Sequence, residues 1–403
     1  MFINKNTKKI FTLTLVLFCF FTFKSQVSFA QDIHNDFQGT YSGRIISILS
    51  EEEYEVGWND LTTIYKTLEI KLLSGPNEGQ IINAETDFPE IGKGDKVFLN
   101  HLRDVGGIDR YVITNIDRTN QVYFLLILFC AVIIVFGGLQ GIRSLLALGG
   151  GLAAILYLLL PAILNGHNPL MVSVLVASTI LFLAIFFTHG FHRESFVAYI
   201  GTMIAVLITS LLALYAVDST NLSGFAEDTS VMLNFKTGGT LDFSGLLLGA
   251  IIIGILGMLN DIAMTQAAVV SELYDSNKKI SRVEVYKRAM RVGREHVGAL
   301  VNTLVLAYTG TALPLLLLIS NRNLSFNMII NMEVFATEIV RTIVGSIGLV
   351  LTVPIVTFLA SVYLKDYKNR KHHLDLKPAS NESYKLTQSS RTKDERKSRK
   401  YPK

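Results

Sequence analysis

An aspartate, Asp261, lies in an apolar stretch, residues 245–272, that is long enough to cross a membrane as a helix. A carboxylate in the hydrocarbon costs about 3 kcal/mol on insertion scales, so its presence indicates a role in binding or transport. We interpret Asp261 as the only acidic residue inside a spanning segment. It shares one helical face with small and polar residues spaced three and four positions apart, and we predict that this face meets a neighbouring helix or a wet cavity. The stripe consists of Ala250, Gly254, Gly257, Asp261, Thr265, Ala268 and Glu272.

A second apolar stretch, residues 297–319, follows a short connection and should run antiparallel to the first. It carries Asn302 at about the depth of Asp261, which predicts a polar site between two helices. The carboxylate could hold a proton, bind a cation or pair with an arginine of the connection, and a structural polar pair is the alternative. Pro314 predicts a bend that could open a cavity, although a packing kink explains the proline taken alone. The candidate polar or ion site comprises Asn260, Asp261, Thr265, Asn302, Thr303 and Thr309.

The connection between these stretches is basic and amphipathic. Ser281 and Glu284 have the spacing of a capping box at the start of a helix. Apolar and small residues between positions 283 and 293 fall on one face of that helix, and cationic residues fall on the other. The pattern predicts a short helix lying on the inner membrane surface. The residues that flank the candidate site on this side are Glu272, Arg288, Arg291, Arg294 and His296.

The sequence contains no motif for chemistry on a substrate. His189 and His192 are not accompanied by an HExxH motif or by a Cys/His cluster at metal-ligand spacing. A GxSxG elbow, a Walker A loop and a pair of intramembrane aspartates are also absent from the sequence. We therefore expect no enzymatic activity, no metal site and no cofactor.

The composition is that of a membrane protein. Half of the 403 residues are hydrophobic, 17% are charged and the mean hydropathy is +0.40, which excludes a soluble enzyme. We predict a polytopic α-helical protein in which a transmembrane domain at residues 122–364 contains seven spans. These spans are residues 122–139, 145–164, 169–187, 196–217, 245–266, 297–319 and 339–364.

The chain before the first span has two predicted parts. Residues 1–30 combine lysines, a short apolar run and the small residues Ser28 and Ala30, which predicts a signal peptide, with a retained helix as the alternative. Residues 31–121 alternate as strands do, which predicts a small extracytoplasmic all-β domain, either an OB-like barrel or a sandwich. This domain has 16 acidic and 8 basic residues, so it is a poor candidate for binding nucleic acid. A protein could be its partner.

Charge sets the predicted orientation in the cell membrane. Export of the β domain places the first span's start outside, and seven crossings bring the tail, residues 365–403, to the cytoplasm. The predicted inside segments carry Arg143, Arg193, a basic connection and 13 basic residues in the tail, in agreement with the positive-inside rule. The tail has little apolar pattern and is expected to be disordered. We expect the lipid bilayer as the environment and anionic lipid as a partner of the basic loop and tail.

Two long motifs resemble a known family. GxxGMLNDxxxTQ at 254–266, followed by RVGREHVGALVNTLVLAYTGTALP at 291–314, resembles the YibE/F-like family of bacterial multispanning membrane proteins, and THGFHRESFVAYIGT at 188–202 fits the same family. The resemblance implies an integral protein of the bacterial cell membrane, and it brings no catalytic role with it. The positions that it selects together with the residue pattern are Asp261, Glu272, Arg294, His296, Asn302 and Thr303.

Two functions remain open at this point. The first is a permease or an ion- or proton-coupled transporter, in which Asp261 binds the coupling cation or proton and a small solute or cation passes along the polar residues. The second is a non-transporting membrane scaffold or assembly factor, in which the exported domain binds a partner and the polar stripe holds two helices together.

Overall fold

The computed structural model describes residues 37–55, 62–88, 90–103, 109–320 and 325–375. The predicted signal peptide and the tail after Asp375 lie outside these residues. The chain divides into two compact units, one ending at Phe136 and the other beginning at Gly137.

The first unit contains an antiparallel five-stranded sheet with strand order β3-β2-β1-β4-β5. The long strand β1 pairs with β2 and with β4, and its register shifts near Ile45 and Ile48, where bulges bend it. The edge strands β3 and β5 also approach each other, so the sheet curls into a half-barrel. The strands are β1 (Phe37–Glu55), β2 (Thr62–Leu72), β3 (Ile81–Thr86), β4 (Lys96–Arg103) and β5 (Asp109–Ile116).

Alternation along the strands builds the core of this sheet. Leu68 and Ile70 of β2 and Leu99 of β4 point to the same side and are fully buried. Gly43 of β1 is paired with both β2 and β4, and a methyl group at this position would come within 2.7 Å of Ile70 and Leu99. The predicted all-β character of residues 31–121 is therefore confirmed for the part that the structure describes.

The second unit is helical, and its first helix begins in the β unit. Helix α1 ends in a π-helical turn, Ile155–Leu159, and helix α3 ends in another, Leu183–Phe187. The helices are α1 (Thr119–Ala154), α2 (Leu160–Leu164), α3 (Pro169–Phe182), α4 (Arg193–Ser219), α5 (Asp228–Lys236), α6 (Phe243–Ser276), α7 (Arg282–Thr311), α8 (Leu313–Ser320), α9 (Phe326–Ile330) and α10 (Glu333–Asp375).

Five helical segments among the described residues are long and apolar enough to cross a membrane. They confirm a multi-pass helical membrane protein. The first segment joins the predicted first and second spans, and its backbone is non-helical at Gly138, with φ 54° and ψ −137°. The predicted sixth span corresponds to the second half of α7 together with α8 and is not among the five, so the count of seven spans stays a prediction. The five segments are Thr119–Leu164, Pro169–Phe187, Arg193–Ser219, Phe243–Ser276 and Glu333–Lys365.

The basic connection differs from its prediction. Ser281 caps α7 as expected, because its hydroxyl accepts a hydrogen bond of 3.1 Å from the N–H of Glu284. The helix then continues without a break to Thr311, so the prediction of a separate short surface helix is wrong. Val285 and Ala289 are buried with residues of α6 and α10, and this packing holds the segment in line with the rest of α7.

The last helix also differs from its prediction. It begins at Glu333, before the predicted start of the seventh span at residue 339, and it ends at Asp375. The first part of the tail, residues 365–375, is therefore helical where disorder was expected.

Helix α6 lies at the centre of the helical unit and packs against α3, α4, α7 and α10. Its buried face carries Ile251, Ile255, Leu259 and Ile262, each at most 1% exposed. Burial of these large side chains explains which face of α6 turns inward, since it removes more apolar surface than burial of glycine and alanine would.

Candidate functional site

The stripe that carries Asp261 lies on the outer face of α6. Thr265 is half-buried, and the other members of the stripe, from Ala250 to Glu272, are exposed. Tyr308 of α7 approaches the stripe at Gly254, and the described residues leave the rest of the stripe open, as a face toward a wet cavity or a further helix would be. A methyl group placed on Gly257 would meet no described atom within 4 Å, which leaves an open surface beside Asp261.

Asp261 bonds locally with its neighbours on α6. The Asn260 side-chain amide donates a 3.2 Å hydrogen bond to Asp261 Oδ1, and the Thr265 hydroxyl donates a 2.8 Å bond to the Asp261 backbone carbonyl. Asn260 Oδ1 is buried and has no partner among the residues that the structure describes. Three of the predicted site residues are thus brought together, and an unused acceptor lies among them.

The residues predicted on α7 do not join this group. Leu304 is 1% exposed and faces the bundle, whereas Asn302 is exposed, because two residues correspond to a rotation of about 200° on a helix. No hydrogen bond between Asn302 and Asp261 occurs in the described structure, and the Thr303 hydroxyl bonds the Ala299 carbonyl at 2.9 Å. Thr309 is exposed as well. The predicted contact between Asp261 and Asn302 is therefore not formed.

Asn302 was the expected neighbour of Asp261, and the structure brings His189 near Asp261 instead. His189 follows the π-helical turn after α3, is half-buried, and lies within electrostatic range of the Asp261 carboxylate. Burial lowers the pKa of His189, and the negative charge of Asp261 acts in the opposite direction. Helices α3 and α6 bring the two together because they run in the same direction, with Ser173 of α3 beside Gly249 of α6. Sequence reasoning discounted His189 for want of a metal motif.

A second charged cluster lies in the last spanning segment. The Arg341 guanidinium donates a 2.8 Å bond to Glu338 Oε1, and both side chains are less than one-quarter exposed. Glu338 Oε2, Arg341 Nε and the Thr337 hydroxyl are buried and lack a partner among the described residues. Glu338 lies on the helical segment Glu333–Lys365, one residue before the predicted start of the last span, so the interpretation of Asp261 as the only acidic residue inside a span stays a prediction.

Tyr308 of α7 connects this second cluster with α6. It lies within electrostatic range of both Glu338 and Arg341. A methyl group on Gly254 would come 3.0 Å from the Tyr308 hydroxyl, so Tyr308 rests against the stripe. Gly254 and Asp261 are separated by about 10 Å along the axis at 1.5 Å per residue. The stripe thus runs between two charged clusters at different depths, and Gly257 lies between them.

The predicted flanking residues do not pair with Asp261. Arg288 donates a 2.6 Å bond to Glu284. Glu272, Arg291, Arg294 and His296 are exposed. Among the described residues, no group of three His, Cys, Asp or Glu side chains could hold a metal ion.

Buried polar contacts hold the neighbouring helices in place. The Thr357 hydroxyl of α10 donates a 3.0 Å bond to Gln266 Oε1 of α6, and Gly293 of α7 packs directly on Gln266. The Tyr274 hydroxyl donates a 2.6 Å bond to the Ser361 carbonyl. These contacts fix α6 against α7 and α10 and thereby position the stripe.

Comparisons with known proteins give one match. No curated protein and no solved structure matches the chain. The model of the family described as YibE/F-like protein matches residues 125–366, which include α6, both charged clusters and most of the helical unit. The chain therefore belongs to the YibE/F-like protein family.

Proposed function

We propose that the protein is a permease or an ion- or proton-coupled transporter whose pathway follows the stripe on α6. One observation carries this proposal: the stripe on α6 carries Asp261 at one level, and about two turns away, at Gly254, it meets Tyr308, which lies within electrostatic range of Glu338 and Arg341 of α10. Asp261 with Asn260 and His189 forms the inner cluster, and Glu338 with Arg341 forms the outer one. Ionisable groups inside a membrane mark ion or substrate pathways more often than they mark lipid contacts.

The chemistry of the two clusters supports a cation or a proton as the coupling species. A carboxylate can bind either one, and His189 lies within electrostatic range of Asp261, so the charge of one would respond to the charge of the other. The buried acceptor atoms Asn260 Oδ1 and Glu338 Oε2 have no partner among the described residues, so they are suited to water or to a bound cation. Gly257 leaves an open surface between the two clusters.

The proposed topology has seven spans. The segment Thr119–Leu164 would measure about 69 Å as one helix, whereas the hydrocarbon core is about 30 Å thick, so a turn at Gly138 would yield two spans. Helix α7 with α8 supplies the sixth. The β unit would then lie outside the cell membrane as an OB-like domain, with the basic tail in the cytoplasm, and the order of the strands and the approach of β3 to β5 support this fold.

A flux assay in sealed vesicles tests the proposal. Purified protein is reconstituted, and the dissipation of proton, sodium and potassium gradients is followed before small solutes are screened. We expect flux through the wild type and at least a tenfold loss in Asp261→Asn, with Asp218→Asn as a control that removes an exposed carboxylate elsewhere. Wild-type flux that Asp261→Asn leaves unchanged would contradict a role for the stripe, and absence of all flux from folded protein would contradict transport.

The exposure of the stripe favours a second function. Small residues on an outer helix face allow the close approach of a partner membrane helix, and Asp261 could hydrogen-bond to it. The protein would then be a non-transporting scaffold or assembly factor whose exported domain binds a protein partner. In that case Asp261→Asn should reduce co-purification of the partner or the stability of the assembly, and flux should be absent from the wild type as well.

A further inference from the structure

We propose that Lys287, Arg291 and Arg294 of α7 bind the phosphate headgroup of an anionic phospholipid. The site is independent of the proposed transport pathway. It gives specific residues to the anionic-lipid contact that the sequence predicts only for a basic loop and tail.

A pocket exists at this place on α7. Its volume is about 280 Å³, and it is lined by the three cationic residues together with Tyr286 and Met290. A cationic rim with an aromatic and a thioether side chain suits a phosphodiester attached to an apolar tail, because the cations bind the phosphate oxygens and the apolar groups contact the glycerol backbone.

The protein offsets the charge of this pocket only in part, because the Glu284 carboxylate lies within electrostatic range of Lys287 and Arg291. Arg288 is occupied by Glu284, with which it forms a 2.6 Å ion pair. Lys287, Arg291 and Arg294 form no ion pair with any residue that the structure describes. Three cations that share a pocket repel one another, so an anion bound among them lowers the free energy of the folded protein.

The same face of α7 continues as an apolar track. Residues 287, 291, 294, 298, 301 and 305 are spaced three and four positions apart and therefore lie on one face. A methyl group on Gly298 would meet no described atom within 4 Å, and Val305 is 39% exposed. An acyl chain that leaves the headgroup pocket could lie along this track, against Gly298 and Val305. This arrangement favours a lipid over free phosphate, which would use only the basic end.

The position along the helix agrees with this assignment. α7 is charged up to His296 and apolar from Val297, so the pocket lies where the helix would leave the hydrocarbon and enter the headgroup layer. Basic pockets at this level on the cytoplasmic side bind anionic headgroups in other membrane proteins.

Native mass spectrometry of the full-length protein in detergent tests the site directly. Dioleoyl phosphatidylglycerol is titrated against dioleoyl phosphatidylcholine. We expect phosphatidylglycerol to bind at least tenfold more tightly to the wild type and the preference to fall at least fivefold in Arg291→Gln/Arg294→Gln. The matched control, Lys278→Gln/Lys279→Gln, removes the same charge from exposed lysines before α7 and should retain the preference. Equal binding of the two lipids, or an equal loss in both double variants, would overturn the proposal.

Two further arms identify the source of the phosphate. Inorganic phosphate at millimolar concentration should not displace phosphatidylglycerol, and displacement would assign the pocket to free phosphate instead. Gly298→Leu fills the acyl track and should weaken dioleoyl phosphatidylglycerol more than the dihexanoyl form, whereas an equal effect on both would remove the track from the site. If the double variant does not fold, Arg294→Gln alone is compared with Lys279→Gln. None of these readouts depends on transport.

Discussion

The Nη1 atom of Arg341 lies 2.8 Å from the Oε1 atom of Glu338, one turn away on the same helix and inside a segment apolar enough to cross a membrane. Each side chain is less than one-quarter exposed, so each depends on the other to offset the loss of water. Replacement of one partner should therefore show how much the stability of the protein depends on this pair.

Replacement of Glu338 by Gln should destabilise the protein by about 3–5 kcal/mol, because it leaves the Arg341 charge buried without its partner. The double variant Glu338→Gln/Arg341→Gln should recover part of this loss. Thermal unfolding in detergent gives the comparison. Glu284→Gln, which breaks an exposed ion pair, should cost less than about 1 kcal/mol. An equal cost for Glu338→Gln and Glu284→Gln would show that the intramembrane pair is solvated.

Gly293→Ala should destabilise the contact between α7 and α10 by about 1–3 kcal/mol through overpacking. The added methyl group would come 2.5 Å from Val353 and 2.7 Å from the Gln266 amide, both of which are buried. Gly298→Ala lies on the same helix and meets no described atom within 4 Å, so it serves as the matched control. The midpoint of chemical unfolding should fall for the first variant only, and a similar midpoint for both would contradict the packing that we describe.

Water access to the stripe distinguishes the two proposed functions. With Cys19 and Cys130 replaced by Ser, Gly257→Cys should react with a hydrophilic maleimide, because the open surface beside Asp261 would be wet in a transporter. Ile255→Cys, two residues away and facing the core, should not react. Mass spectrometry of intact protein in membranes measures the labelling. If Gly257→Cys is as unreactive as Ile255→Cys, then lipid or a partner helix covers the stripe, and the scaffold function is favoured.

The β unit should lose stability in acid through Asp109. The close approach of the His101 ring, whose Nε2 lies 3.0 Å from Asp109 Oδ1, and the charge of Arg103 hold the pKa of this carboxyl below its usual value. A pKa lowered by folding contributes stability above the unfolded pKa of about 3.9, and this contribution is lost as the pH falls through the folded pKa. Hydrogen exchange of β4 and β5 should therefore accelerate below about pH 4.

Asp109→Asn should remove this acid dependence from β4 and β5, because it lacks the titrating group. Asp87→Asn replaces an exposed carboxylate that forms no ion pair within the described residues, and it should retain the wild-type pH curve. Identical curves for Asp109→Asn and the wild type, after correction for the intrinsic exchange rate, would contradict the assigned role of the pair.

Part of the inner cluster could be predicted from the sequence. Hydropathy alone isolates Asp261, because a carboxylate stands out in an apolar helix, and helical spacing places it on one stripe with Gly254 and Gly257. Spacing does not say which neighbour that stripe faces. The expected partner was Asn302, on the next helix, whereas the structure places His189 within range of Asp261 and turns Asn302 away from the bundle.

The outer cluster was missed for a different reason. A hydropathy pattern ends where charges begin, so Glu338 was left outside the last span and Arg341 attracted no notice. The helix begins earlier, at Glu333, whose carboxylate accepts bonds of 2.9 Å and 3.0 Å from the N–H groups of Ser223 and Gly224. Ser223 and Glu333 are 110 positions apart in the sequence, so no local sequence pattern predicts this contact.

The sequence by itself determined the class of the protein, the two-part division of the chain, most helix positions, the family and the stripe on α6. These depend on hydropathy and on periods of two and 3.6 residues, which are local properties. Only the tertiary structure decided that the stripe faces outward, that His189 rather than Asn302 lies near Asp261, and that Glu338, Arg341 and Tyr308 form a second cluster. The physical reason is that the burial of large side chains such as Ile255 and Leu259 fixes the rotation of α6 about its axis. The polar face of the helix then points outward, because it lies opposite to these buried side chains.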